Sequence, residues 1–119
     1  MLKKGPSPRR SIDTFSFEPG VVLADKYEVV SLLGAGWEGE VYKVKEQRTG
    51  IERAAKLFFP QRNLANKKLK FYARKLHKLR DVNGLIKYHT QETIDFCESP
   101  ITFLVSDYVE GEQLQQFLK

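Results

Sequence analysis

The glycine-rich segment at residues 33–42 is the feature that most constrains how this chain can fold. It contains three glycines with the spacing G-x-G-x-x-G, at Gly34, Gly36 and Gly39. That spacing also fits a dinucleotide-binding turn, which requires a helix directly after the third glycine and an acidic residue about 20 positions further on. Residues 40–44 instead contain β-branched and aromatic side chains and are soon followed by a turn signal. The glycines are therefore predicted to join two antiparallel strands.

Strand and turn signals on both sides of the glycines predict an α+β domain. The first three strands fall at 27–33, 41–44 and 51–59, and their short connections require an antiparallel meander. A helical repeat covers 63–80, and two further strands are expected near 85–90 and 101–108. The expected fold is a five-stranded antiparallel sheet with one principal helix packed on it. The start of a second helix is expected at the C-terminus.

The helix predicted at 63–80 has an apolar face and a strongly basic one. Asn63 or Asn66 can cap its first turn. The apolar face repeats at three- and four-residue steps, at Leu69, Tyr72, Leu76 and Leu79. The basic residues are Lys67, Lys68, Lys70, Arg74, Lys75, Lys78 and Arg80. We expect a solvated face or a docking surface for an acidic partner, which the net charge of +5 also permits. Nucleic acid is disfavoured because Phe71 and Phe96 suit core positions better than exposed stacking platforms.

Composition limits the size and the compartment of the protein. A chain of 119 residues is one small domain at most. Its single cysteine, Cys97, excludes an internal disulfide and fits a reducing compartment, so a cytoplasmic location is expected. No apolar run approaches the roughly 20 residues that a membrane helix needs. Residues 1–24 are predicted to form a flexible basic and proline-rich tail before a folded domain at 25–119.

Three segments together carry a resemblance to a known family. Residues 33–42, followed by Ala54-Ala55-Lys56 on the next strand, resemble the N-terminal lobe of eukaryotic-type (Hanks-type) serine/threonine protein kinases. The lead-in at 26–29 is similar to the first strand of the bacterial members. The segment at 103–111 is similar to the fifth strand and hinge of the same family. The resemblance covers about 25–119 in register.

The resemblance implies an ATP site beneath the glycine loop. The loop backbone would cover the triphosphate, through Gly34, Ala35, Gly36, Trp37, Glu38 and Gly39. Lys56 would act as the catalytic lysine and contact the α- and β-phosphates as a point charge. Three apolar residues would enclose the adenine: Leu33, Val41 and Ala54.

The hinge implied by the resemblance lies at about 106–111. Ser106 would be the gatekeeper, and the backbone of Asp107 and Val109 would bind the adenine edge. The resemblance also implies Mg²⁺, whose ligands would lie with the catalytic base in a C-terminal lobe that is absent here. The chain alone is therefore expected not to catalyse phosphoryl transfer. Its last helix is expected to expose apolar surface and to promote self-association.

The chain departs from the family pattern at the helix. The family pairs its strand lysine with a helix glutamate, but no glutamate occurs here between Glu52 and Glu92. The apolar register places Tyr72 at that position, or Ala73 after a shift of one residue. Lys56 must therefore find another anion or remain without one near the nucleotide.

Three functions remain open on the sequence. The first is the ATP-binding lobe of a protein kinase that phosphorylates a protein substrate. The second is a pseudokinase or scaffold, which the missing helix glutamate favours. The third is a basic domain that binds a polyanion through its helix.

Overall fold

The computed structural model describes residues 11–78 and 88–108 of the chain. Within these ranges the strands are β1 (Val22–Leu23), β2 (Tyr27–Ala35), β3 (Gly39–Glu46), β4 (Glu52–Phe58), β5 (Tyr88–Phe96) and β6 (Ser99–Asp107). The helix α1 (Lys67–Lys78) follows two short 3₁₀ turns, at Pro60–Arg62 and Leu64–Asn66. The strands form one antiparallel sheet in the order β1-β2-β3-β4-β6-β5.

The predicted α+β class, with one helix on an antiparallel sheet, is confirmed. The predicted strand count of five is corrected to six, because the two-residue strand β1 pairs with the start of β2. The connection between the two strands expected near 85–90 and 101–108 is shorter than those bounds imply, because β5 continues to Phe96 and β6 begins at Ser99. It is a tight turn at Cys97 and Glu98, which both have positive φ. The expected strand residues 85–87, Val109 of the hinge and the last helix lie outside the described residues.

One face of the sheet is covered by residues 11–17, which we call the N-terminal strap. Phe15 is only 4% exposed and belongs to the main apolar core. Its ring lies 5.6 Å from that of Phe17, 5.2 Å from that of Phe59 and 5.3 Å from that of Phe96. The expectation of a flexible tail through residue 24 is therefore wrong for the strap, because its aromatic side chains complete the core on this face.

A buried carboxylate fixes the strap to the sheet. Glu40 accepts hydrogen bonds from the Thr14 hydroxyl at 2.7 Å and from the Phe15 amide at 3.2 Å. The Tyr42 hydroxyl donates to the same carboxylate at 2.6 Å. Burial, together with this hydrogen bond to Glu40, raises the pKa of Tyr42 to about 12. The strap is thus held by polar contacts as well as by its aromatic rings.

The opposite face of the sheet packs against α1. Its apolar cluster consists of Val41, Ala54, Phe58, Leu69, Tyr72 and Leu104. Of the two predicted capping residues, Asn63 makes the contact with the helix. Its side-chain oxygen accepts a hydrogen bond from the Leu69 amide at 3.1 Å. Phe71 is 57% exposed on the outer side of the helix, so the expectation that it lies near the core is wrong. Within the described residues, no helix is long and apolar enough to cross a membrane.

Candidate nucleotide-phosphate site

The glycine loop, residues 34–39, is a tight hairpin turn pulled down onto β4. The Gly36 amide donates to the Gly39 carbonyl at 3.0 Å and closes the turn. The Phe59 amide donates to the Glu38 carbonyl at 2.9 Å and ties the loop to the end of β4. A Cβ added at Gly39 would lie only 1.9 Å from the Leu57 carbonyl oxygen. Close packing against β4 therefore requires glycine at position 39.

Strand register places the predicted site residues on the face that carries α1. Val41 lies opposite Lys56 across β3 and β4, and Ala54 lies opposite Ser106 across β4 and β6. Directly opposed residues share a face, and side chains two positions apart in a strand do so as well. Leu33 packs against the same apolar cluster from β2. The structure therefore brings these five residues to one surface of the sheet.

A cavity of about 330 Å³ lies under the glycine loop. Its lining is Gly34, Ala35, Gly36, Trp37, Glu38, Gly39, Val41 and Lys56. These are the residues to which the resemblance gave the phosphates, together with one of the three predicted adenine contacts. The volume is at the lower end of the range that small-molecule sites occupy. Leu33, Ala54, Ser106 and Asp107 do not line it.

The hinge residues of β6 are engaged with neighbouring protein groups. Ser106 is fully buried, and its hydroxyl donates to the Asp107 carbonyl at 3.3 Å. The Asp107 carboxylate accepts a hydrogen bond from Arg53 Nη1 at 2.9 Å. The Ser106 side chain, which the resemblance makes the gatekeeper, is not part of the cavity wall.

An acidic side chain from the loop itself lies beside Lys56. Glu38 is 7% exposed and Lys56 is 2% exposed, so both charges are withdrawn from water. Lys56 Nζ lies 3.6 Å from Glu38 Oε1, and the Tyr72 hydroxyl donates to that same oxygen at 2.9 Å. Lys68 Nζ lies 3.4 Å from the other carboxylate oxygen. The carboxylate is therefore held from three sides by groups of β4 and α1.

The pKa values of the two buried charges follow from this arrangement. Burial lowers the pKa of Lys56 below its ordinary value, although the charge of Glu38 and a hydrogen bond with it oppose that effect. Burial would raise the pKa of Glu38, but it is outweighed. The hydrogen bond from Tyr72 and the charges of Lys56 and Lys68 hold this pKa below its ordinary value. Glu38 therefore remains an anion that Lys56 can meet.

Tyr72 is the helix residue that faces Lys56. Lys56 Nζ lies 4.0 Å from the centroid of the Tyr72 ring, within reach of a cation–π interaction. This contact favours Tyr72 over Ala73 as the residue in the place of the helix glutamate. The sequence predicted that Lys56 would need an anion other than a helix glutamate, and in the structure Glu38 is that anion.

Sequence reasoning had given Glu38 only a backbone role in the loop. One feature of the sequence could have indicated a role for its side chain as well. With no glutamate in the helix, the carboxylates nearest to the loop in sequence are Glu38 and Glu40, and Glu40 lies in the predicted strand.

Further cations surround the outer side of the loop. The Arg62 guanidinium lies 4.9 Å from the Trp37 ring centroid, and Lys68 Nζ lies 5.4 Å from it. Trp37 is exposed at the tip of the loop. Among the described residues, these contacts bring three cations, Lys56, Lys68 and Arg62, to the loop beside the carboxylate of Glu38, and these groups together carry a net positive charge. An anion entering the cavity would meet this charge.

No family model matches the chain. The chain is 28% identical over 100 residues to serine/threonine-protein kinase A of Synechocystis sp.. This alignment covers 82% of the chain and 19% of that protein. The chain thus spans about a fifth of that curated relative.

Solved structures of kinase domains have a fold similar to that of this chain. A mutant form of the Mycobacterium tuberculosis PknI kinase domain has a TM-score of 0.56 and 25% identity, covering 81% of this chain and 38% of that one. Another solved kinase domain has a TM-score of 0.63, covering 80% of this chain and 28% of that one. It is 21% identical and shows the fold alone. The sheet and helix thus have the arrangement of a protein-kinase N-terminal lobe, and over most of its length the chain is similar in sequence to a bacterial serine/threonine kinase.

Proposed function

We propose that the chain binds the phosphates of ATP under its glycine loop and serves phosphoryl transfer to protein in the protein that carries this lobe. One observation carries the proposal. Lys56, almost fully buried, lines the loop cavity between the sheet and α1. A lysine amine in such a position can neutralise phosphate charge as a compact point charge. ATP would supply the transferred phosphoryl group.

The residues of the cavity suit a polyphosphate. Three of the six loop residues that line the cavity are glycines, and the described cations Lys56, Lys68 and Arg62 add positive charge to the region. The Gly36 amide is bonded within the hairpin, so phosphate contacts fall to the other loop amides and to Lys56. We assign Mg²⁺ no ligand among the described residues, where no group of three or more Asp, Glu, His or Cys could hold a metal ion.

The pseudokinase alternative loses its main support in this geometry. It was motivated by the missing helix glutamate, which would have left Lys56 poorly oriented. Glu38 now supplies a carboxylate at 3.6 Å from Lys56 Nζ. The residues that decide between active and inactive kinases belong to the C-terminal lobe.

Trp37 offers a direct test of ATP binding. It is the single tryptophan of this chain and it lines the cavity. The measurement uses the protein that carries this lobe, with every tryptophan other than Trp37 replaced. We expect ATP with Mg²⁺ to change the fluorescence emission of Trp37 saturably. Adenosine should bind more weakly because it has no phosphate. Lys56→Met should weaken ATP binding about tenfold or more, since a hydrogen bond to a charged group is lost. An unchanged emission at millimolar ATP would contradict the proposal.

A second candidate function is favoured by the outer face of α1. A groove of about 480 Å³ is lined by Lys67, Lys70, Phe71, Arg74, Lys75 and Lys78. In the described part of the chain, none of these five cations forms an ion pair. Exposed Phe71 adds an apolar contact at the centre of this charge. We propose that this face docks an acidic peptide segment, as charge complementarity favours.

The docking proposal predicts a charge-dependent affinity. The double variant Lys70→Glu/Arg74→Glu should lower the affinity for a fluorescent acidic peptide at least about tenfold, because attraction becomes repulsion at the centre of the face. Binding should also weaken as salt is added. Lys45→Glu/Arg48→Glu makes the same change of net charge on exposed residues outside the groove and serves as the control. Equal losses in both variants would show only a general charge effect and would reject the docking face.

A further inference from the structure

We propose that Glu38 is the positioning residue for Lys56, and that Tyr72 and Lys68 hold its carboxylate in place. The inference rests on the proposed function, because a lysine needs positioning only if it has a phosphate to meet. It gives the glycine loop a second task. Besides covering the cavity, the loop supplies the counter-charge that the helix of this chain does not contain.

The main chain at Glu38 is fixed independently of its side chain. Its carbonyl accepts the Phe59 amide at 2.9 Å, directly after the end of β4. The next residue, Gly39, is packed so closely against the Leu57 carbonyl that no side chain fits. A loop tip that was free to move would not hold a carboxylate at one distance from β4. These two contacts therefore provide the rigidity that positioning requires.

The side chain of Glu38 is fixed at both oxygens. Oε1 accepts the Tyr72 hydroxyl at 2.9 Å and also faces Lys56, and Oε2 faces Lys68 at 3.4 Å. Tyr72 is held in turn, because its ring packs 5.8 Å from that of Phe58 in the helix-facing cluster. The residue at the helix position therefore acts on Lys56 through Glu38.

The geometry favours positioning over simple occupation of the phosphate place. The loop cavity remains open beside Glu38, with Lys56 in its wall. The two roles predict opposite effects of neutralising Glu38. If its carboxylate merely excludes phosphate, Glu38→Gln should bind ATP more tightly, whereas loss of positioning should impair use of the nucleotide.

The first test measures Lys56 itself, without nucleotide. Reductive methylation by formaldehyde and cyanoborohydride, followed by mass spectrometry of the peptide that contains Lys56, reports the fraction of neutral amine. In Glu38→Gln we expect the rate at pH 7 to rise about tenfold, because a nearby opposite charge no longer favours the ammonium form. The increase should vanish at high pH, where the amine is neutral in both proteins. A loop that had only opened would raise the rate at every pH, and that result would overturn the proposal.

A charge relocation provides the rescue. Glu38→Gln/Tyr72→Glu returns a carboxylate to the region from the helix, and the methylation rate at pH 7 should return to within about threefold of the parent. Glu38→Gln/Tyr72→Gln is the matched control, since it makes the same loss of the ring without the charge, and its rate should stay high. Glu52→Gln removes an exposed carboxylate outside the cavity and should leave the rate unchanged. Equal rates in the two double variants would overturn the proposal.

Nucleotide experiments separate this proposal from the function on which it rests. ATP should protect Lys56 from methylation in the parent, and phosphoryl transfer should fall about tenfold or more in Glu38→Gln and partly recover in Glu38→Gln/Tyr72→Glu. Tighter ATP binding by Glu38→Gln, with transfer undiminished, would overturn the positioning role. If the pH profile responds as expected but ATP gives no protection, the ATP site is wrong and the Glu38–Lys56 coupling stands.

Discussion

Replacing Lys56 by methionine should reduce phosphoryl transfer by the protein that carries this lobe at least about a hundredfold in kcat/KM, the size of effect seen when one preorganised donor to a developing charge is removed. Among the described residues, Lys56 is the lysine that lines the loop cavity. Methionine has a similar length and an apolar tip, so it removes the charge and largely keeps the packing. The measurement is steady-state transfer from radiolabelled ATP to a general acceptor protein.

The fold should tolerate this change, and that separates a site effect from unfolding. The carboxylate of Glu38 keeps Lys68 and the Tyr72 hydroxyl as partners, so it is not left as a lone buried charge. Circular dichroism and the urea midpoint should therefore remain close to those of the parent. Lys45→Met, at an exposed position on β3, is the control for loss of one lysine. Full activity of Lys56→Met would exclude Lys56 from the reaction.

The sheet could be predicted because its signals are local. Runs of β-branched and aromatic residues, short connections and turn residues define β2, β3 and β4 to within a few positions. The strap could not be predicted in this way. Phe15 and Phe17 are isolated apolar residues in a polar segment, and only the aromatic surface presented by Phe59 and Phe96 makes their burial favourable. That surface exists only once distant strands have paired.

The site likewise contains residues whose placement the sequence predicts and one whose placement it does not. The grouping of Val41, Ala54 and Lys56 follows from the two-residue period of strands, so the motif alone predicts it. The inward direction of the Glu38 side chain does not follow from the motif. It depends on the packing of the loop on β4 and on the Tyr72 hydroxyl from a separate helix. Sequence reasoning identified the missing partner of Lys56, and tertiary structure supplied its replacement.

Phe15→Ala should destabilise the domain by about 3–5 kcal/mol, as truncation of a buried phenylalanine does. That is a large share of the roughly 5–15 kcal/mol by which domains are stable. The ring contacts three other aromatic rings, and its loss leaves a cavity that the strap backbone, held at Glu40, cannot readily fill. Urea unfolding followed by circular dichroism measures the change. Phe71→Ala makes the same chemical change at an exposed position and should stay within about 0.5 kcal/mol of the parent. If both variants behaved alike, residues 11–17 would not be part of the folded core.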